Sequence, residues 1–122
     1  MEQKLTIMDI FWKEELLCNT QWGDDKHWVT VKNFTGKKHP LVPYVMKEDI
    51  EYKISIMDLN KFLETRCFPR TRYNVEELLK KYDLRFYYPY GICVKSHGVS
   101  MTDFLWLRFD NERLTYDDVR LR

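Results

Sequence analysis

SIMDLNKFLETRCFPRTRYNVEELLKKYDL, residues 55–84, carries the densest run of local structural signals in the chain. Ser55 with Asp58 has the pattern of a capping box, in which a hydroxyl and a carboxylate satisfy the free amides of a starting helix. Leu59, Phe62 and Leu63 fall at i, i+3 and i+4 and share one face, while Asn60, Lys61 and Glu64 point elsewhere. Phe68-Pro69 ends the run, because proline lacks the amide that would continue the ladder and disfavours helical geometry in the residue before it. Asn74 and Glu77 repeat the cap pattern, and Val75, Leu78, Leu79 and Tyr82 make a second apolar stripe. Lys80-Lys81 sit in the last turn, where cations suit the helix dipole. The stretch predicts a helical hairpin bent at Pro69, with its arginines outward and its apolar sides buried against strands.

Upstream, residues 4–12 (KLTIMDIFW) and 15–22 (ELLCNTQW) read as an antiparallel hairpin across Lys13-Glu14. Gly23-Asp24-Asp25-Lys26 is a turn signal, and the HWVTVKNF that follows alternates Trp28, Thr30 and Lys32 with Val29 and Val31, as a strand does. After the polar turn Thr35-Gly36-Lys37-Lys38, residues Leu41, Val42, Tyr44, Val45 and Met46 predict a short strand kept to an edge by Pro40 and Pro43. Glu48, Asp49 and Glu51 read as a solvated acidic connector. Downstream, RFYYPY (residues 85–90) is an aromatic linker in which Pro89 can open a third helix. Gly98, after Ile92, Cys93, Val94, Lys95, Ser96 and His97, can take the left-handed conformation that closes it. In DFLWLRF, Phe104 and Trp106 point one way and Leu105, Leu107 and Phe109 the other, the pattern of a central strand returning to the meander. Asp110-Asn111-Glu112 reads as a turn, Thr115 with Asp118 as a final capped turn, and Val119 and Leu121 as a last short strand.

The fold class expected is α+β in a single domain, 1–122: a small antiparallel β meander of three or four strands (1–54), a helical part with three short helices (55–98), and a late hydrophobic strand rejoining the sheet before a C-terminal turn (99–122). A chain of 122 residues can bury about two thirds of its unfolded surface without disulfides or metal. A content of 44% hydrophobic and 32% charged residues excludes a disordered tail. Aromatic residues make up 16%, enough to furnish both a core and a binding surface. The net charge of +1 supplies no global field for nucleic acid. Only residues 58–88 lean basic, with 7 Lys/Arg against 5 Asp/Glu. Cys18, Cys67 and Cys93 are distant in sequence and contain no Cys-x-x-Cys pair, which argues against a disulfide framework or thiolate zinc site and fits a reducing cytoplasm. The first residues, MEQKLTIMDIFWKEELL, have neither the charge pattern of a signal peptide nor the length of a membrane span.

The order of elements is similar to one known module. A helix with Phe62 and Leu63, a proline joint at Pro69 with Arg72, a helix with Leu78 and Leu79, a short helix closing on Gly98, and a strand from Phe104 together resemble the N-terminal subdomain of HipA-type serine/threonine kinases of bacterial toxin–antitoxin systems. The resemblance covers residues 59–109 and, more loosely, the opening strands. In the full kinases the nucleotide loop and catalytic aspartates belong to a larger body that follows this module. No Gly-x-Gly-x-x-Gly or Gly-Lys-Ser/Thr loop occurs among the four glycines here. In split versions of these systems the free-standing module is itself the antitoxin, and the resemblance implies that role: a non-enzymatic module without cofactor that binds a HipA-like kinase chain.

The residues themselves offer one polar constellation. Arg66, Arg70 and Arg72, joined by Lys80, Lys81 and Arg85, form a cationic joint suited to phosphate or carboxylate. Tyr87, Tyr88 and Tyr90 lie in a linker that cannot turn all three rings inward, and complete the expected partner-binding set. The opposing reading is a solvated surface whose cations pair with Glu64, Glu76, Glu77 and Asp83. Two other functions stay open: a phage or mobile-element inhibitor of a host nucleic-acid-targeting enzyme, and a nucleic-acid-binding domain. Cys93 and His97, four apart, are either a thiolate–imidazole pair or a buried cysteine beneath a helix-terminal histidine. His27 and His39 sit in turns and lack a second pair at metal-ligand spacing. The remaining rings, Trp12, Trp22, Trp28 and Trp106, are expected mainly in the core.

Overall fold

Five short strands pair into one sheet in the computed structural model, which describes residues 6–23, 28–109 and 112–120. The elements run β1 (Thr6–Trp12), β2 (Glu15–Trp22), β3 (Trp28–Asn33), β4 (Glu51–Ser55), α1 (Ile56–Thr65), α2 (Val75–Lys81), α3 (Pro89–Ser96), β5 (Leu105–Phe109) and α4 (Tyr116–Val119). All neighbouring strands are antiparallel, in the order β4-β3-β2-β1-β5. This is the α+β domain expected, with the late strand rejoining the sheet beside β1. The expected turn at Asp24-Asp25-Lys26 lies outside the described residues, as do His27, Asp110, Asn111 and Leu121.

Helices α1 and α3 cover one face of the sheet. Met8, Ile10, Cys18, Val29, Val31, Ile54, Leu105, Leu107 and Phe109 pack there against Leu59, Phe62 and Leu63 of α1 and Cys93 of α3. Register shifts between Thr6 and Met8 and between Ile10 and Phe11 mark irregularities in the β1–β2 pair. A bulge there explains why the adjacent Leu17 and Cys18 are both buried, against strict alternation. Burial, with a smaller contribution from Asp9, pushes the Cys18 thiol up to about 12. The opposite face carries a polar row across all five strands: Glu51, Lys32, Asn19, Asp9 and Arg108. Within it Asp9 accepts from Asn19 Nδ2 at 2.6 Å and from Arg108 at 3.0 Å. Beside this row Trp106 stacks on Phe11 at 4.6 Å and donates its indole N–H to the Lys13 carbonyl.

Four local expectations are corrected. Residues 41–46 form turns, not a strand. Val42 N–H bonds to the His39 carbonyl and Met46 N–H to the Val42 carbonyl, while Val42, Val45 and Met46 insert into the core. The edge strand is instead Glu51–Ser55, where an acidic connector was expected; it buries Ile54 and exposes Glu51 and Lys53. The strand Leu105–Phe109 lies at the other edge of the sheet, not in its centre. It is apolar on both sides because Leu105, Leu107 and Phe109 face the core while Trp106 meets Phe11. Val119 belongs to α4, capped by the reciprocal Thr115–Asp118 box, and not to a last strand.

The caps divide in the same way. Ser55 Oγ accepts from Asp58 N–H at 3.0 Å and starts α1, so the hydroxyl half of the expected capping box forms and the carboxylate half does not. Asn74 makes no side-chain cap, and its Oδ1 is buried without a partner. Helix α1 lies against the sheet and α3, but the expected burial of the apolar side of α2 against strands is corrected: α2 buries only Leu79 and stands outside that layer.

One buried amide holds the long excursion between β3 and β4. Asn33, 1% exposed, donates from Nδ2 to the carbonyls of Lys37 (2.9 Å) and Lys47 (2.6 Å). Its Oδ1 accepts from Thr35 N–H, Thr35 Oγ1 and Gly36 N–H. Tyr52 adds a second clamp, its hydroxyl donating to the Val45 carbonyl and accepting from Lys47 N–H. Asn33→Ala therefore removes five hydrogen bonds made by one buried side chain, and we expect a loss of about 2–3 kcal/mol in urea unfolding. A loss below about 0.5 kcal/mol, typical of an ordinary surface change, would contradict this assignment.

Candidate functional site

The chain between α1 and α3 leaves the core after Thr65 and returns at Pro89, carrying every cation and tyrosine expected at the site except Tyr90, which lies just beyond in α3. Arg66 begins this excursion and differs from the other arginines. Its side chain is 6% exposed and forms a bidentate pair with Asp103, at 3.0 and 2.9 Å. Nε donates to the Gly98 carbonyl at 2.8 Å and Nη2 also to the Leu105 carbonyl at 3.3 Å. Arg66 is thus a structural clamp between the end of α1 and the start of β5, and its donors are spent inside the fold. Burial alone would raise the Asp103 carboxyl, but hydrogen bonds from Arg66 and Leu105 N–H, with the Arg66 charge, carry it below the usual carboxylate range.

Aromatic rings knit the two loops of the excursion together. Phe68 stacks on Tyr82 at 6.4 Å and meets Tyr87 edge-on at 5.6 Å. Tyr87 donates its hydroxyl to the Phe68 carbonyl at 2.7 Å, and desolvation, helped by Cys67, raises its pKa and keeps that donor protonated. The Arg70 guanidinium lies over the same ring, 4.6 Å from its centroid, a cation–π contact that orients it without neutralising it. Tyr87 is therefore turned inward as a strut. Tyr88 pairs with Phe86 at 4.8 Å and covers Gly91, where any side chain would collide with its ring. Tyr90 lies edge-on to Phe109 at 5.6 Å.

The outer surface of this frame mixes cations and rings. Arg70, Arg72, Lys80, Lys81 and Arg85 are exposed. Among the described residues none of them lies within ion-pair distance of a carboxylate. The pairing with Glu64, Glu76, Glu77 and Asp83 weighed from the sequence is thus not formed. Tyr73 is 97% exposed and Phe86 63%, with Tyr88 and Tyr90 less so. Tyr73 and Phe86 escaped the sequence reading, although Tyr73, flanked by Arg72 and Asn74, belongs to neither apolar stripe. Unpaired cations beside exposed rings can grip carboxylate or phosphate and bury apolar contacts alongside.

No reactive pair emerges at Cys93 and His97. His97 Nε2 lies 2.8 Å from Glu112 Oε2. Cys93 is buried with its Sγ 3.7 Å from that of Cys67, so two thiols far apart in sequence meet, both free. Hydrogen bonding with Cys67 and burial push the Cys93 thiol up. His39 Nδ1 accepts Leu41 N–H and its ring packs on Trp12. Among the described residues no three His, Cys, Asp or Glu side chains converge on a metal position.

Because Asp103 is held below its ordinary pKa, the Arg66 clamp stabilises the fold above about pH 3.9 and that contribution is lost as pH falls through the folded value. Arg66→Ala, which leaves a buried carboxylate unpaired, is expected to cost about 3–5 kcal/mol at pH 7. The stability gap between the native chain and Asp103→Asn should stay constant from neutrality to about pH 5 and narrow below about pH 4. Denaturant titrations across that range test both, and a gap independent of pH would contradict the clamp. Comparison with protein-family models, curated proteins and solved structures returns no match for this chain.

Proposed function

We propose that this chain is a non-enzymatic interaction module that acts in the cytoplasm as an antitoxin-like regulator, docking on a separate HipA-like kinase chain. The contact is made through Arg70, Arg72, Lys80, Lys81, Arg85 and the neighbouring rings. The observation that carries this reading is that Arg70, Arg72, Lys80, Lys81 and Arg85 are exposed without carboxylate partners on the same excursion as exposed Tyr73 and Phe86, and that the excursion is anchored by Arg66 and Tyr87. Aromatic and arginine side chains on a preorganised support are the residue types that dominate protein interfaces. The partner surface is correspondingly acidic, and association weakens with salt. Direct duplex binding is less well supported, because exposed Glu76, Glu77 and Asp83 share the excursion, with exposed Glu64 just before it, and would repel the phosphates. No helix among the described residues is long and apolar enough to cross a membrane.

Calorimetry with a purified HipA-like kinase body from the same source tests the proposal. Arg70→Glu combined with Arg72→Glu should weaken binding about tenfold or more, and Phe86→Ala about as much, with melting temperature unchanged. Absence of binding by the native chain, or an affinity indifferent to these changes, would overturn it. Tight binding to random duplex DNA at low salt would favour a nucleic-acid partner instead.

A further inference from the structure

The sheet has two edges, and they are finished differently. On β5 the pairing with β1 is phased by Lys13 N–H to the Phe104 carbonyl at 2.9 Å, which leaves the amides of Leu105, Leu107 and Phe109 pointing outward. All three are occupied: Leu105 N–H by Asp103 Oδ1 (3.0 Å), Leu107 N–H by the His97 carbonyl (2.8 Å), and Phe109 N–H by Glu112 Oε1 (2.6 Å). That edge is sealed by its own chain.

On β4 the phase is fixed by Asn33 N–H to the Ile50 carbonyl at 2.7 Å, which turns residues 50, 52 and 54 toward β3. The outward amides and carbonyls are those of Glu51 and Lys53, followed by Ser55. Among the described residues no group bonds to the outward amides of Glu51 or Lys53. Ile50, at the start of this edge, is 74% exposed and Met57, at its end, 67%. An open edge of this kind is a template for another strand.

Only one symmetric antiparallel register of β4 on a second β4 suits its side chains. Outward residues must pair with outward residues, so Glu51 faces Glu51, Lys53 or Ser55 of the other copy. Glu51 opposite Glu51 and Lys53 opposite Lys53 place like charges together, and Lys53 opposite Ser55 pairs no charges. Glu51 opposite Lys53 pairs opposite charges twice over, sets Tyr52 against Tyr52, and brings exposed Ile50 beside Ile54.

We infer that two copies of this chain associate through their β4 edges, Glu51 of one facing Lys53 of the other, to form a continuous ten-stranded sheet, twice the five strands of one copy. The interface is isologous, as two-fold symmetry requires. It uses the edge strand and not the excursion between α1 and α3, so it is separable from the proposed kinase contact.

Sedimentation equilibrium of the full chain tests this. The native chain is expected to dimerise, and Lys53→Glu alone or Glu51→Lys alone should each raise the dimer Kd about tenfold, because like charges then face each other. An equimolar mixture of the two single variants should recover a heterodimer within about threefold of the native affinity, as should the double variant Glu51→Lys/Lys53→Glu with itself. Both residues are exposed, and circular dichroism should show unchanged folding. A native chain that stays monomeric to about 0.5 mM, a dimer unaffected by either single change, or a mixture that fails to recover would each overturn the inference.

Discussion

A guanidinium taken out of water must have its donors met, and the way Arg66 meets them organises the helical half of this protein. Nε reaches the Gly98 carbonyl behind α3, both terminal nitrogens reach Asp103, and one also reaches the Leu105 carbonyl at the head of β5. One side chain therefore ties the end of α1 to the turn after α3 and to the last strand. Gly98 belongs to the same joint: its φ of 62° is the left-handed conformation, and a Cβ there would lie 3.0 Å from Leu107. Hydrophobic contact among Leu63, Cys93 and Leu107 supplies the bulk of this packing, but it is not directional. The fork of Arg66 sets the register in which those surfaces meet.

The proposed kinase contact hangs from that joint. The excursion departs at Arg66 and rejoins the core at Pro89, with Phe68, Tyr82, Tyr87 and Arg70 bracing it between. Its helix α2 buries one residue fully, so its exposed cations rely on the two anchored ends for their placement. A surface so supported loses less freedom when a partner arrives than a free loop would. The sheet repeats the contrast between what is closed and what is left available, since β5 has its outward amides capped by Asp103, His97 and Glu112. Asp103 serves both systems, accepting from Arg66 and from Leu105 N–H.

Local signals were legible where the cause of the structure is local. The branched and aromatic runs of β1 and β2, the alternation in β3, the Ser55 cap, Pro89 in the first turn of α3 and the Thr115–Asp118 box each depend on residues within a few positions. Residues 41–46 misled because branched and aromatic side chains imitate a strand; Pro40 and Pro43 lack amides, and the carbonyls of His39 and Val42 draw the chain into turns. The shorter EYKIS, with a single buried aliphatic residue, gave a weaker pattern yet pairs with β3. That β5 is an edge depends on caps from three separate segments, none visible in LWLRF itself. Within the candidate site, Arg66, Arg70 and Arg72 are equivalent as sequence. The partner that buries the first, Asp103, stands 37 positions away, and the meeting of Cys67 with Cys93 spans 26. The cationic joint was therefore readable as a composition, and its division into one clamp and several exposed cations was not.

The guanidinium protons of Arg66 report on the central claim most directly. In nitrogen-resolved NMR at neutral pH, the Arg66 Nη protons should exchange with solvent far more slowly than those of Arg70 and Arg72, and the slow exchange should vanish in Asp103→Ala, which removes the acceptor of both terminal nitrogens. An Arg66 side chain that exchanges as fast as its two neighbours in the native protein would mean that no such clamp exists, and would remove the support from the surface built upon it.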